Sequence, residues 1–158
     1  MNMIKNFFLI VLFGFLKHFK KLFYTIFLDR LFLASSYFLR KSMMSVAIEK
    51  IGFSSREEAI QLAKSEGFFF RDGAMETGDI EDIHWHKTGL HIYVLSGLFE
   101  TFDAARDELL IARGGDLIKI PKNTLHAARC PIPATYVVGF ESEKAAKGFQ
   151  PELPEDLP

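Results

Sequence analysis

The spacing of hydrophobic and polar positions changes at Gly67. Before it, Ala59, Ile60, Leu62 and Ala63 recur at the spacing of one helical face. Ser54 and Ser55 each stand three residues ahead of a glutamate, Glu57 and Glu58, and either pair fits the capping box that starts a helix. Gly67 supplies a left-handed stop, so a short helix is expected over 55–66. After Gly67, short runs of β-branched and aromatic residues are separated by turn residues. Strands are expected at 68–70, ended by Asp72 and Gly73; at 83–86, ended by Thr88 and Gly89; at 91–95, ended by Gly97; and at 99–103. They continue at 109–112, ended by Gly114 and Gly115; at 117–120, ended by Pro121, Lys122 and Asn123; and at 125–130 and 135–140. Many short strands with no helix between them imply an all-β antiparallel sandwich or barrel rather than a βαβ sheet.

Residues 1–42 follow neither pattern. Phe7, Phe8, Phe13, Phe15, Phe19, Phe23, Phe27, Phe32 and Phe38 crowd among Lys5, Lys17, Lys20, Lys21, Arg30, Arg40 and Lys41, with Asp29 as the single acid. The apolar run over 7–16 falls short of the roughly 18 to 20 residues that a membrane-spanning helix needs. Three origins fit this leader. It can be a targeting segment, although no small-residue cleavage site follows the run. It can be a membrane-surface anchor, since Phe19, Phe23 and Phe27 recur at helical spacing beside the cations. It can also be a translated AT-rich upstream region, with the start of the protein at Met43 or Met44. The 158 residues then divide into a leader over 1–42, one folded domain over 43–145 and a Pro- and acid-rich tail over 146–158, expected as a loose surface extension.

Charge and cysteine content narrow the partners. Net charge is −1, and no Lys/Arg run with interleaved aromatics follows residue 42, which argues against nucleic acid and for small molecules or other proteins as partners. Cys130 is the only cysteine, so no internal disulfide forms, and a reducing, cytoplasmic setting is expected. Membrane association would come only through a retained leader.

The candidate chemistry lies in the histidines. Of five, His18 falls in the leader and His84, His86, His91 and His126 fall among the strands. His84 and His86 are two apart, so on a strand their imidazoles share one face, as chelation requires. An isolated pair of this kind also occurs at solvent-facing positions, and two imidazoles alone hold a metal weakly. His126, after the Pro121 turn, is the candidate third ligand.

Two ordered motifs surround these residues. The first runs from His84 and His86 through Gly89, Leu90 and His91 to Tyr93, Val94, Leu95 and Gly97; the second runs from Gly115 through Pro121 to His126. Together they resemble the two motifs of the cupin superfamily, over 83–130. Asn123 stands where that family carries a glycine, and Asn also tolerates a positive φ. The resemblance implies a jelly-roll barrel, the double-stranded β-helix, with a short N-terminal helix, a divalent transition metal, and a homodimer. It implies His84, His86 and His126 as metal ligands. The family's glutamate ligand falls on Leu90 or on His91 according to the gap counted, which leaves a three-histidine site and a four-histidine site both open. Neither brings a carboxylate, and imidazole sets favour iron, with zinc, nickel, copper or manganese as alternatives. The resemblance then implies a metal-dependent, dioxygenase-like enzyme acting on a small organic substrate or, alternatively, a non-catalytic metal- or ligand-binding sensor. Ile92, Val94, Phe99, Phe102 and Tyr136 are expected as pocket wall, Glu100 as an outer carboxylate or a solvated residue, and Cys130 as a buried structural thiol.

Overall fold

The computed structural model describes residues 45–158, and the expectations for the leader lie outside the described residues. Helix α1, Arg56–Ser65, forms where its capping pattern falls. Of the two candidate serines, Ser55 is the N-cap: its Oγ accepts from the Glu58 N–H at 3.2 Å, while Glu58 reaches back to the Ser54 N–H at 2.7 Å. Ala59, Ile60 and Ala63 are its buried face.

Seven strands form, β1 Ala47–Lys50, β2 Phe69–Met75, β3 Ile80–His84, β4 Leu90–Asp103, β5 Glu108–Arg113, β6 Asp116–Ile120 and β7 His126–Phe140, and the last six follow the expected order with different boundaries. All pair antiparallel. The expected strands at 91–95 and 99–103 are one strand, as are those at 125–130 and 135–140. Each long strand serves two sheets. The first half of β4 and the second half of β7 lie in the order β1-β6-β4-β7-β2, and their other halves pair with β5 and β3. Register shifts between Val94 and Glu100 mark the passage from one sheet to the other. Gly97 sits there at φ +81°, where a Cβ would lie 1.9 Å from the Pro133 carbonyl oxygen. By its residue type that glycine reads as a strand end; the chain uses it as a bend.

Asp72 and Gly73 are likewise inside β2 rather than in a turn. Gly73 pairs with Tyr136, and a Cβ at residue 73 would meet that ring at 2.2 Å, so the glycine makes room for the tyrosine. Strand β1, which pairs with β6, had no periodic signal to announce it.

Alternation along the strands builds two cores. Leu90, Ile92, Val94, Phe99, Ile118, Ile120, Ala128, Cys130 and Phe140 fill the space enclosed by the sheets. On the other face of the first sheet, Tyr93, Leu117 and Val137 pack under α1 against Phe53, Ala59, Ile60 and Ala63. Among the described residues no helix covers the outer face of the second sheet, and Leu109, Ile111 and Ile132 are exposed there. The tail is not a loose extension. Helix α2, Glu143–Lys147, is capped by Ser142, and Glu152 forms an antiparallel bridge with Trp85. No helix of the described residues is long and apolar enough to cross a membrane.

Candidate metal centre

His84 ends β3 and His126 begins β7, and the two are direct partners in the ladder. His86 follows the Trp85 bridge. All three imidazoles are buried, and one ring nitrogen from each lies within 4.8 Å of the others. Ring centroids are 4.4 Å apart for His84 and His126, 4.6 Å for His84 and His86, and 5.0 Å for His86 and His126.

Hydrogen bonds fix which nitrogen of each ring faces inward. The Nδ1 of His84 is 2.7 Å from the Asp82 carbonyl, that of His126 is 2.8 Å from the Thr124 carbonyl, and that of His86 is 3.3 Å from the Gln150 carbonyl. A carbonyl oxygen can only accept, so each Nδ1 carries the proton and each neutral ring presents Nε2 as a lone pair. The Nε2 atoms of His84 and His86 are 3.1 Å apart. With both protons committed to the Nδ1 positions, that approach sets one lone pair against another unless a cation lies between them. An added proton fills that place poorly, because burial, reinforced by the neighbouring imidazoles, pushes His86 down to about 3, and burial pushes His126 down to about 4. A divalent ion fills it well, since nitrogens bound at about 2.0–2.1 Å to one ion lie roughly 3 Å apart. The donor set therefore fits a transition metal, and each ring already has the outer hydrogen bond that orients metal-binding histidines.

His91 is not brought to this cluster. It lies on the opposite face of β4, where its Nδ1 donates to Glu66 Oε2 at 2.8 Å and its ring packs on Phe68 with centroids 4.3 Å apart. Leu90 takes the inward position and joins the inner core. The four-histidine arrangement is thus corrected to three, because the ladder runs without a bulge from Leu90 to Tyr93 and alternation allows only one of residues 90 and 91 to face inward.

Among the expected wall residues, Ile92, Val94 and Phe99 are buried in the inner core, with Tyr136 packed against it. Phe102 instead lines an outer cleft with Ile80, Glu81 and Leu109. Glu100 pairs with Arg129 on that outer face, away from the histidines. Cys130 is buried and donates weakly to the Leu98 and Ile132 carbonyls at 3.2 Å, and burial pushes its thiol up.

Four further features escape a reading by motif. Asp103, fully buried, is the ladder partner of His126 in β4 and accepts the N–H groups of Val46, Ala105 and Arg106 at 2.9, 2.9 and 3.2 Å. Thr101, also fully buried and two positions away on the same face, has the one buried side-chain polar atom among the described residues with no hydrogen-bond partner. Glu81, half exposed, places a carboxylate oxygen 3.9 Å from His84 Nε2. The C-terminal segment lays Phe149 against His86 with centroids 4.6 Å apart. Inward parity on β4 was the available signal for Asp103 and Thr101; nothing local announces the C-terminal contacts.

No protein-family model matches the chain, and no curated protein matches it. Solved structures do resemble it. A DUF861 family protein from Thermotoga maritima is 19% identical at TM-score 0.44, over 60% of this chain and 98% of that one. A cupin-2 domain protein from Shewanella frigidimarina is 20% identical at TM-score 0.39, over 44% of this chain and 65% of that one. The DMSP lyase DddQ from Ruegeria pomeroyi is 20% identical at TM-score 0.46, over 54% of this chain and 42% of that one. At such identities these neighbours say nothing of activity. The chain's own strand pairing makes it an all-antiparallel jelly-roll barrel, and its two ordered histidine motifs meet at one point inside it.

Proposed function

We propose that His84, His86 and His126 hold one divalent transition metal, iron foremost, and that the chain is a dioxygenase-like enzyme for a small organic substrate. The observation that carries this reading is the convergence of three buried imidazoles whose Nδ1 protons are committed elsewhere. An iron ion held by neutral ligands would supply Lewis acidity and one-electron chemistry toward an organic substrate and dioxygen. Three protein ligands leave coordination positions for such partners.

The remaining roles fall to the chain. A cleft of about 370 Å³ has His86 and Phe149 in its wall, a volume within the range of small-ligand sites. The half-exposed Glu81 carboxylate, 3.9 Å from His84 Nε2, is the nearest candidate to accept a substrate proton. Oxygen uptake by the iron-loaded protein against diketones, aryl ketones and thiols tests the reading. Uptake that depends on one substrate class and is slowed by Glu81→Gln without loss of iron supports it. Tight binding of an organic ligand with no turnover would replace it with the sensor reading.

A further inference from the structure

We infer that residues 149–153 form a strap that completes the metal centre, so that docking of the C-terminal segment and binding of the metal through His86 favour one another. The inference rests on the three-histidine reading and adds to it an unequal support of the ligands. His84 and His126 each take their orientation from a carbonyl two residues earlier in their own segment, so local backbone sets them. His86 takes its orientation from Gln150, 64 residues away. One of three ligands thus depends on a segment that must first dock.

The docking contacts are specific. The Glu152 N–H donates to the Trp85 carbonyl at 2.9 Å, the Trp85 N–H donates back at 3.2 Å, and the indole Nε1–H of Trp85 donates to the Leu153 carbonyl at 2.8 Å. Phe149 lies between His86 and the core: its centroid is 4.6 Å from the His86 ring and 5.2 Å from Phe140. Pro151 and Pro154 flank the bridge, fixing φ on either side of Glu152 and lowering the conformational entropy lost on docking.

Undocking would remove the Gln150 acceptor and the Phe149 ring together. The His86 imidazole would then be free to turn or to shift its proton to Nε2, and the ligand set would fall from three to two. By linkage, whatever factor docking contributes to metal affinity, the metal returns to docking. Phe149, Gln150 and Glu152 also wall the cleft that reaches His86, so widening that cleft by moving the strap loosens the ligand at the same time. Access to the centre and completeness of its ligand set are therefore coupled through one segment.

Trp85 is the only tryptophan in the chain, and its indole proton is on the strap, so its fluorescence reads docking directly. Zinc(II) alone, titrated into the full metal-free chain, should shift Trp85 emission as it binds. Glu152→Pro removes the N–H that bonds Trp85, and Phe149→Ala removes the ring over His86. Each should weaken zinc binding by about 10- to 100-fold, the usual cost of losing an outer partner of a metal-bound histidine. Lys87→Ala, which breaks only the exposed pair with Glu152, should leave zinc affinity within about twofold. Undiminished zinc binding by both folded strap variants would overturn the strap and leave the three-histidine site standing. Failure of the unaltered chain to bind zinc at all would overturn the site itself, and the strap with it. Hydrogen exchange on the unaltered chain needs no variant to fold: the Trp85 and Glu152 amides should exchange more slowly with zinc, and unchanged rates in a zinc-bound chain would refute the coupling.

Discussion

His86 and His91 are five residues apart in sequence, yet they are placed for different roles. The Nδ1 of His86 donates to a neutral carbonyl, its Nε2 meets that of His84 at 3.1 Å, and its neighbours include two more imidazoles. The Nδ1 of His91 donates to the Glu66 carboxylate, tying the C-terminal end of α1 to β4. A carboxylate acceptor satisfies that lone imidazole with a single hydrogen bond. Three inward-facing Nε2 lone pairs, with only the half-exposed Glu81 carboxylate 3.9 Å from one of them, are matched by a cation. Residue type alone does not distinguish a ligand from a tether; the charge of the partner and the direction of the second nitrogen do.

The sharpest way to separate the two regions is stability with and without metal. At free zinc one hundred times the dissociation constant, the native chain should gain about 2.7 kcal/mol against unfolding. Denaturant unfolding should show that gain in the unaltered protein and in His91→Ala, and lose it in His126→Ala.

Acid separates them next. In the metal-free chain, His86 and His126 are held well below the ordinary imidazole value of 6.5, chiefly by burial. The unfolded chain therefore takes up protons first as pH falls below about 6.5, and stability should decline from there through about 4 toward about 3, with no such change above 6.5. Burial lowers His91 too, but Glu66 opposes it, so His91→Ala should leave most of the acid sensitivity in place while His86→Ala removes part of it. Unfolding measured between pH 7 and 4 checks both.

Smaller effects test the surroundings. Thr101→Val removes a buried hydroxyl that has no protein partner, and should stabilise the metal-free protein by about 1 kcal/mol while leaving zinc affinity unchanged. Glu66→Gln weakens a partly exposed pair, and should cost at most about 1 kcal/mol without touching metal stoichiometry.

Much of this was legible in the sequence, for physical reasons. Strand parity put His84 and His86 on one face, the second motif supplied His126, and the capping pair located α1 because a local hydrogen bond decides where a helix begins. The choice between Leu90 and His91 was not legible, since it depends on whether β4 bulges before or after residue 93, and that is settled by pairing with β6 and β7. Gly97 and Gly73 misled for a related reason. Both look like turn residues, and both are glycine because another part of the chain, the Pro133 carbonyl in one case and the Tyr136 ring in the other, occupies the space of a side chain. The C-terminal contacts with Trp85 and His86 were invisible because each joins residues more than 60 positions apart with no periodic pattern between them.

The most direct test is the stoichiometry of zinc or iron bound by metal-free protein, taken in parallel on the unaltered chain, His91→Ala and His126→Ala. One ion per chain in the first two and none in the third is the expected result. Equal binding by the His126→Ala protein, or loss of binding in His91→Ala, would contradict a centre built from His84, His86 and His126.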